Sequence, residues 1–457
     1  MKLRNILMLS GVFAAGLVIG TASTPLRAAH GEDAPNDSTY QQLSLFGDIF
    51  ERVKANYVID PPSDKLVYNA INGMLTGLDP HSSYMNTKQY ADMQVETTGE
   101  FGGLGLEVTE ASGLLKVISP IDDTPAFKAG IKPGDIIVDI DGHSTEGLAL
   151  NDAVDKMLGK VGTQITLTLK RNGIDKPVVA TITREIISIQ AVKSRMFTSP
   201  DGNIGYIRLA SFSEKADADI RKAVADLQKQ SGGHIRAYIL DMRGNPGGLL
   251  DQAVAVSDDF LNSGEIVSTH GRHAQDDQVW YAQPGDITNG APIVVMTNEG
   301  TASAAEIVTA ALQQNRRAIV LGLRSFGKGS VQTIVPIPGN GALRLTTALY
   351  YTPSGKSIQD YGVTPDVKVS DTRTPQDQFA NLHESDLANS FQNPTGVPAP
   401  TLPSPLPLPA VAKTIPDKPP ATWPAFDATK PETDFQLQMA IKLAGAMSPV
   451  GPSTASN

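Results

Sequence analysis

Apolar positions in the first part of the chain recur at helical spacing. Within residues 38–97, two runs place apolar side chains three or four positions apart: Leu43, Phe46, Ile49, Phe50 and Val53, then Leu66, Ala70, Ile71, Met74 and Leu75. Such spacing gathers apolar side chains on one face of a helix. The pattern predicts an N-terminal helical region over 38–97, whose second helix ends at the Gly-Leu-Asp-Pro sequence of residues 77–80.

After Gly99 the apolar runs become shorter and alternate as in β-strands. Five short β-patterned runs and one helical run follow, with strands predicted at 105–109, 114–118, 136–140, 164–171 and 178–183 and a helix at 150–158. Further along, strands alternate with longer helices. We predict strands at 204–209, 237–241, 266–270, 293–297, 318–322, 331–336 and 343–350, and helices at about 215–230, 249–262 and 303–314. The first pattern predicts a small β-rich domain over 98–186, and the second an α/β domain over 187–370.

Proline dominates the next part of the chain. Residues 394–431 hold 12 of its 32 prolines, which disfavour both helices and central strands. We predict an extended, solvated linker over these residues. Residues 371–393 are expected to associate with the α/β core, and residues 432–457 to form a short helix and a tail.

The composition and the N-terminus narrow the possible functions. A net charge of −10 over 457 residues argues against a nucleic-acid partner, and the absence of cysteine excludes disulfides and cysteine-based sites. Lys2 and Arg4 precede an apolar run over 6–20, which is typical of an export signal. The run is shorter than the roughly 20 residues of a spanning helix. A cleaved signal over 1–29 is therefore preferred to a retained membrane anchor.

Two segments carry candidate catalytic chemistry. Ser303 lies among small residues where an apolar strand gives way to a helix, and Lys328 lies between two glycines before a β-branched strand. A serine becomes a nucleophile when a neutral base takes its proton, and burial lowers the pKa of a lysine that lacks a carboxylate partner. In an extended chain Gln332 lies on the same side as Lys328, where its amide oxygen would hold the lysine amine.

Acyl transfer also requires donors for the oxyanion. The N–H of Ala304 is one candidate, because helix N-termini carry free amides. Gly247 supplies the second candidate, in the glycine pair that follows the strand at 237–241.

Each of these residues has another interpretation when taken alone. Ser303 and Glu306 form the S-x-x-E capping box of an ordinary helix start. Residues 322–328 match most of a phosphate-binding loop, but Gly329 replaces its Ser or Thr and a strand pattern follows. A Ser-His-Asp triad would use His270 or His273. His81 is better explained as a loop histidine after a helix stop.

The motifs together are more specific than any one of them. The chain resembles the carboxyl-terminal processing, or tail-specific, proteases of the S41 serine peptidases over about residues 40–370. The matching segments are 77–84, 99–105, 241–248, 300–306, 327–332, 350–355 and, near the C-terminus, 434–438. The resemblance implies a crotonase-like α/β core with an inserted PDZ domain. It also implies Ser303 as nucleophile, Lys328 as general base and Gln332 as its support, with no cofactor and no metal.

The PDZ domain is expected to bind the C-terminus of a peptide. Its carboxylate-binding loop would be Gly103, Leu104, Gly105 and Leu106, and the groove helix would present Leu150, Ala153 and Val154. A structural β-domain with a tight glycine turn is the alternative. Leu158 departs from the family pattern, in which an arginine often precedes the glycine at this place.

The sequence thus predicts a serine endopeptidase that cleaves exported or envelope proteins near apolar C-terminal tails. The expected location is the periplasm or cell envelope, with membrane contact only through an N-terminal anchor. An envelope adaptor protein and a homo-oligomer remain open as partners. The alternative is a catalytically inactive PDZ scaffold that binds peptides.

Overall fold

The computed structural model describes residues 37–111, 114–121, 123–148, 150–174, 176–188, 190–370, 382–395, 406–427 and 429–449. The predicted signal or anchor at 1–29 lies outside the described residues. The chain divides into two compact units, of which the first ends at Val67 and the second begins at Tyr68. Among the helices described, none is long and apolar enough to cross a membrane.

Three helices fill most of the N-terminal region. The elements are α1 (Asp37–Asn56), α2 (Ser63–Thr76), β1 (Ser83–Met85) and α3 (Thr87–Thr98). Strand β1 was not predicted. Helix α3 begins where the Asn86 side chain accepts the Gln89 N–H, and it ends at Gly99, whose φ of 69° suits glycine.

The β-rich domain is an antiparallel sheet with two helices. Its elements are β2 (Glu100–Gly103), β3 (Leu106–Ala111), β4 (Leu114–Pro120), α4 (Pro125–Lys128), β5 (Ile136–Ile140), β6 (His143–Ser144), α5 (Leu150–Met157), β7 (Gln164–Lys170), β8 (Val178–Thr183) and β9 (Glu185–Ser188). The sheet order is β3-β4-β5-β7-β8, so β3 is an edge strand. Strands β2 and β9 pair separately, with Gly103 opposite Glu185. Only one of the two helices was predicted, because α4 is a single turn.

The α/β core contains every strand and helix predicted for it. Its elements are β10 (Val192–Ser199), β11 (Gly202–Leu209), α6 (Ala216–Gln230), β12 (Ile235–Asp241), α7 (Leu250–Phe260), β13 (Glu265–Gly271), β14 (Gln278–Tyr281), β15 (Ile293–Thr297), α8 (Ala304–Gln314), β16 (Ala318–Gly322), β17 (Ser330–Pro336), β18 (Ala342–Tyr351) and β19 (Val367–Lys368). Strands β10, β14 and β19 were not predicted. All three are edge strands or short, and they bury few side chains.

Two sheets build this core. The larger has the order β10-β11-β12-β15-β16-β19 and is parallel from β11 onward. In the smaller one, β18 pairs with β1, β13 and β17. The parallel strands are buried on both faces, which explains their continuous apolar sequence. Their carboxyl ends bring the segments after Asp241 and Thr297 to one edge.

Helices cover both faces of the larger sheet. On one face α6, α7 and α8 pack against side chains such as Leu240 and Val295. On the other, α9 (Phe435–Ala446) packs Leu437, Ala440 and Leu443 against the alternate side chains of the same strands.

The expected solvated linker over 394–431 is wrong for its described part. Residues 410–414 form a 3-10 helix, Ala412 and Ile415 are buried, and Trp423 packs beside α9. The Trp423 indole also donates to the Thr433 carbonyl at 3.0 Å. Proline favours an extended chain but does not keep it in solvent. The described part of this proline-rich segment packs with α9 into the apolar cluster that covers this face of the sheet.

Candidate active site

Ser303 lies at the sharp turn between β15 and α8. Its φ of 54° and ψ of −118° are unusual for a residue other than glycine. The N–H of Ser303 donates to Glu306 Oε2 at 2.8 Å, and the N–H of Glu306 donates to the Ser303 carbonyl at 2.8 Å. Since the Glu306 amide already has a backbone acceptor, capping the helix does not require the Ser303 hydroxyl.

A cavity of about 640 Å³ brings the predicted catalytic residues together. Its lining includes Ser303, Ala304, Lys328, Gln332 and Gly247. Apolar side chains of α7, α8 and β17 complete the wall, including Leu250, Ile307 and Val331. The cavity therefore combines a polar cluster with an apolar surface for a substrate side chain.

The surroundings of Lys328 lower its pKa. Burial is the largest cause, because it disfavours the charged ammonium. Glu384, Glu306 and Asp79 oppose this by their negative charge, and Arg344 reinforces it. A lowered pKa is the direction that a lysine general base requires.

Glu306 joins the Ser303 segment to the Lys328 segment. Its Oε2 accepts the N–H of Ser303 at 2.8 Å and of Lys328 at 2.9 Å, while Oε1 accepts the Gly327 N–H at 2.8 Å and the Ser325 hydroxyl at 2.5 Å. Burial raises the pKa of Glu306 to about 7 although these four hydrogen bonds favour the anion. One carboxylate therefore fixes the backbone of both catalytic segments.

Tyr350 makes a second link between the same segments. Its hydroxyl lies 3.2 Å from the Ser303 carbonyl oxygen and also hydrogen-bonds the Lys328 carbonyl oxygen. Burial raises the pKa of Tyr350, so the phenol stays protonated as a donor. The spacing of the Ser303 and Lys328 segments is thus set by contacts to both their N–H and their C=O groups.

The structure changes the assignment of the second oxyanion donor. The Gly247 N–H already donates to Asn245 Oδ1 at 2.9 Å. Phe212 bonds the Gly247 carbonyl and the Leu249 N–H in a parallel bridge, so the N–H of Gly248 points away from Phe212. Gly247 instead provides space, because a Cβ there would lie 2.8 Å from Ser303 Cβ and 3.0 Å from Ala304 N.

The Gln332 carboxamide makes two side-chain hydrogen bonds. Its Nε2 donates to Ser330 Oγ at 3.0 Å and to Thr346 Oγ1 at 3.2 Å. Thr346 in turn donates to Asp79 Oδ1 at 3.0 Å.

The predicted groove residues of the β-rich domain fall into two sets. Leu104 and Ala153 are 3% and 1% exposed, so they belong to the core of the domain and not to an open groove. Leu106, Leu150 and Val154 are half-buried at its edge. Gly103 ends β2, and Gly105 follows with a φ of 75°; a Cβ on Gly105 would lie 2.3 Å from Thr124 Cβ, so this position has room only for glycine.

Three family descriptions match the chain. The S41 peptidase family matches residues 203–369, the PDZ domain residues 102–182, and the N-terminal domain of the activating protease CtpB residues 10–89. A carboxy-terminal-processing protease of Bartonella bacilliformis is 55% identical over 358 residues, which cover 78% of this chain and 81% of that protein. The chain belongs to the carboxy-terminal processing proteases of peptidase family S41.

Other proteins similar to this chain are more distant. The carboxy-terminal processing protease CtpA of Bacillus subtilis is 35% identical over 370 residues, covering 80% of this peptidase and 77% of the relative. A solved photosystem II D1 C-terminal processing protease is 29% identical and covers 76% of this chain and 99% of that one, with a TM-score of 0.42. The predicted family, its protease core with a PDZ domain and its serine-type peptidase class are confirmed.

The phosphate-loop and triad alternatives find no support in the described part of the peptidase, whereas Ser303 does precede α8 with its N–H bonded to Glu306. Lys328 is followed by strand β17, whereas a phosphate-binding loop would precede a helix. His270, on β13, lies 2.9 Å from Asp277 through its Nδ1 atom. Among the described residues that line the cavity, neither His270 nor His273 is found. The described part also contains no group of three or more His, Asp or Glu placed to hold a metal.

Sequence reasoning missed a layer of residues behind the peptidase site. His81 Nε2 lies 2.9 Å from both carboxylate oxygens of Glu384, whose charge acts on Lys328. Asp79 reaches Gln332 through Thr346. The motif over 77–84 was the available signal, but a helix stop explained the same residues.

Proposed function

We propose that this peptidase uses Ser303 as nucleophile and Lys328 as general base. The observation that carries the proposal is the single cavity lined by Ser303, Lys328 and Gln332, with the lysine pKa lowered by burial. Neutral Lys328 takes the Ser303 hydroxyl proton while Oγ attacks the scissile carbonyl. The ammonium then protonates the leaving amine. In the second half Lys328 takes a proton from a water molecule as that water attacks the acyl-enzyme carbonyl, and the ammonium returns the proton to Ser303 Oγ as the ester bond breaks and the acid leaves.

Two backbone amides would stabilise the oxyanion in this scheme. The Ala304 N–H begins α8, where free amides and the helix dipole favour negative charge. We assign the second position to the N–H of Gly248, since that of Gly247 bonds Asn245. The Gln332 amide oxygen would hold the Lys328 amine without adding a charge.

The PDZ domain is proposed to bind the apolar C-terminal tail of an exported protein. Strand β3 is an edge strand, so a tail can extend the sheet beside it, with Leu106, Leu150 and Val154 as side-chain contacts. Leu104 and Gly105 precede β3, and in the described part of the chain their amides have no backbone acceptor. These amides are suited to the tail carboxylate. Cleavage would follow upstream of the bound tail.

Serine labelling tests the catalytic assignment directly. A fluorophosphonate probe should label the wild type but not Ser303→Ala, and labelling of Lys328→Ala should be slowed. Cleavage of a peptide with an apolar C-terminus should be lost in both variants. Ser144→Ala and Lys368→Ala, at exposed positions of β6 and β19, serve as matched controls. Cleavage retained by both active-site variants would refute the dyad. An unlabelled wild type that still binds the peptide would favour the inactive scaffold.

A further inference from the structure

The carboxamide of Gln332 is connected to the buried carboxylate of Asp79 through the Thr346 hydroxyl. Asp79 is 2% exposed and follows α2. Its Oδ1 accepts the Thr346 hydroxyl at 3.0 Å and the N–H groups of His81 and Ser82 at 2.8 Å each, and its Oδ2 accepts the Ser82 hydroxyl at 2.6 Å. Thr346 occupies the position between Asp79 and Gln332.

The chemistry of these groups fixes the direction of the chain of hydrogen bonds. Burial opposes ionisation of Asp79, but the bonds from Ser82, His81 and Thr346 lower its pKa below the ordinary value. An ionised carboxylate can only accept. The single hydroxyl proton of Thr346 therefore goes to Asp79, and the Thr346 oxygen can only accept from Gln332.

The direction of these hydrogen bonds decides whether the nitrogen or the oxygen of the Gln332 carboxamide faces Thr346. The amide nitrogen must point to Thr346 and Ser330, where its two hydrogens have acceptors at 3.2 and 3.0 Å. The oxygen is the polar atom that remains for the cavity. Since the orientation of an amide is otherwise ambiguous, the carboxylate at the end of the chain supplies the reason for it.

A β-bulge brings the two side chains opposite each other. The pairing of β17 with β18 runs Val331 to Ala348 and then Gln332 to Thr346, so Thr347 is skipped. Without the bulge Gln332 would lie opposite Thr347. The Thr347 hydroxyl instead hydrogen-bonds the Thr333 hydroxyl at the exposed surface. The bulge therefore selects the threonine that contacts Asp79.

We propose that Asp79 and Thr346 are positioning residues that turn the Gln332 amide so that its oxygen faces the Lys328 amine. The inference rests on the proposed Ser303–Lys328 mechanism. If the chain of bonds is broken, Gln332 can turn its NH₂ group toward the lysine, and the base loses its acceptor. Lys328 is faced by Glu384, Glu306, Asp79 and Arg344, so removing the charge of Asp79 would also act on it through space. Substitution of the uncharged Thr346 avoids this complication.

The test compares Thr346→Val, Thr346→Ser and the control Thr347→Val. We expect Thr346→Val to lower kcat roughly 10- to 100-fold with little change in KM, because a misplaced catalytic group costs rate. The acid limb of its kcat profile should move to lower pH, since the ammonium form loses an acceptor. Thr346→Ser keeps the hydroxyl and should retain activity within about threefold, as should Thr347→Val. Thermal unfolding of each variant checks that the fold is intact.

A double-mutant cycle separates this inference from a packing effect. Because Thr346 acts through Gln332, Thr346→Val should add almost nothing to the loss caused by Gln332→Ala. Additive losses, an unchanged pH profile in Thr346→Val, or equal damage from Thr346→Ser would overturn the proposal. Failure of the dyad itself is recognised separately, because Ser303→Ala and Lys328→Ala would then remain active.

Discussion

Glu306 is subject to two opposite demands. Its four neighbours at hydrogen-bond distance are all donors, so the arrangement needs a carboxylate that accepts at both oxygens. Burial favours the neutral acid and raises its pKa to about 7 from the ordinary value of 4.5. The titratable groups that face it are Lys328 and Tyr350. Protonation near neutral pH would place a hydrogen against a donor and loosen both catalytic segments.

The pH dependence of stability and activity should therefore have opposite signs. The folded-state pKa of Glu306 is raised, so its contribution to stability is full below about 4.5 and is lost as pH rises through about 7. Activity needs the anion and should rise over the same interval.

Glu306→Gln tests this conflict. An amide can accept at only one atom and would oppose two donors with its NH₂, so we expect kcat to fall roughly 10- to 100-fold above pH 7. The free energy of unfolding, measured by urea denaturation between pH 5 and 8, should no longer show the decrease with rising pH that Glu306 causes in the wild type. The exposed Glu432→Gln is the control. A variant with wild-type kcat and slope would show that the carboxylate charge is not needed.

Single residues show what the local sequence could and could not predict. Small, uncharged or glycine neighbours singled out Ser303, Lys328 and Gln332, and the structure places all three on one cavity. Gly247 was placed correctly in the cavity, but its amide was assigned to the oxyanion because the sequence does not reveal that Asn245 engages it. Asp79 could not be assigned a partner, since Thr346 lies 267 positions away.

Helix α5 depends on an arginine from outside the helix. Arg184, beside the end of β8, donates to the carbonyl oxygens of Lys156 at 2.8 Å and Met157 at 3.0 Å. A Cβ on Gly159 would lie 2.9 Å from Arg184 Nε, so glycine leaves room for the guanidinium. Leu158 was noted as the departure from the family pattern. In the structure the Arg184 guanidinium lies beside Leu158 and Gly159, where it donates to the carbonyl oxygens that the end of α5 leaves without helical partners.

Arg184→Met should weaken the PDZ domain and its groove. Loss of these charged hydrogen bonds is expected to cost about 2 kcal/mol of stability. Because α5 forms the proposed groove wall, the affinity for an apolar-tailed peptide should also fall, measured by fluorescence anisotropy in a Ser303→Ala background. Lys116→Met, at an exposed site on β4, should change neither quantity. Unchanged affinity in Arg184→Met would contradict the role of α5 in tail binding.

Elements with a strong local period were predictable, and those defined by distant contacts were not. Strands β15 and β16 match the predicted bounds because their apolar runs end sharply at Thr297 and Gly322. The proline-rich segment was predicted as solvated because its composition contains no sign of the sheet face that it covers. That face exists only after β11, β12, β15 and β16 have assembled.

The two connections between the PDZ domain and the rest of the chain run along the cavity that holds Ser303 and Lys328. Thr97 and Gly99 before the domain, and Ala191 after it, line that cavity. The Glu214 N–H bonds the Thr97 carbonyl at 3.0 Å, and Glu100 of β2 forms an ion pair with Lys215. Among the described residues that line the cavity, none belongs to 104–184. Any influence of tail binding on catalysis must therefore pass through the connections or through contacts of the domain with α3, such as the ion pair of Lys88 with Asp155 of α5 at 3.1 Å.

The β2–β9 pair allows the PDZ domain to be removed without disturbing these connections. Gly103 lies opposite Glu185, so a two-residue Asn-Gly turn in place of residues 104–184 would close a hairpin. If the domain restrains the site until a tail binds, cleavage of a short untailed peptide should rise by about 5- to 100-fold, a usual range for coupling between sites. The preference for tailed over untailed peptides should disappear. Ser303→Ala is made in both the full-length and the shortened protein, and each variant gives the uncatalysed rate to subtract from its active counterpart. An unchanged rate on the untailed peptide, with only the tail preference lost, would show that the PDZ domain recruits substrate and does not gate the site.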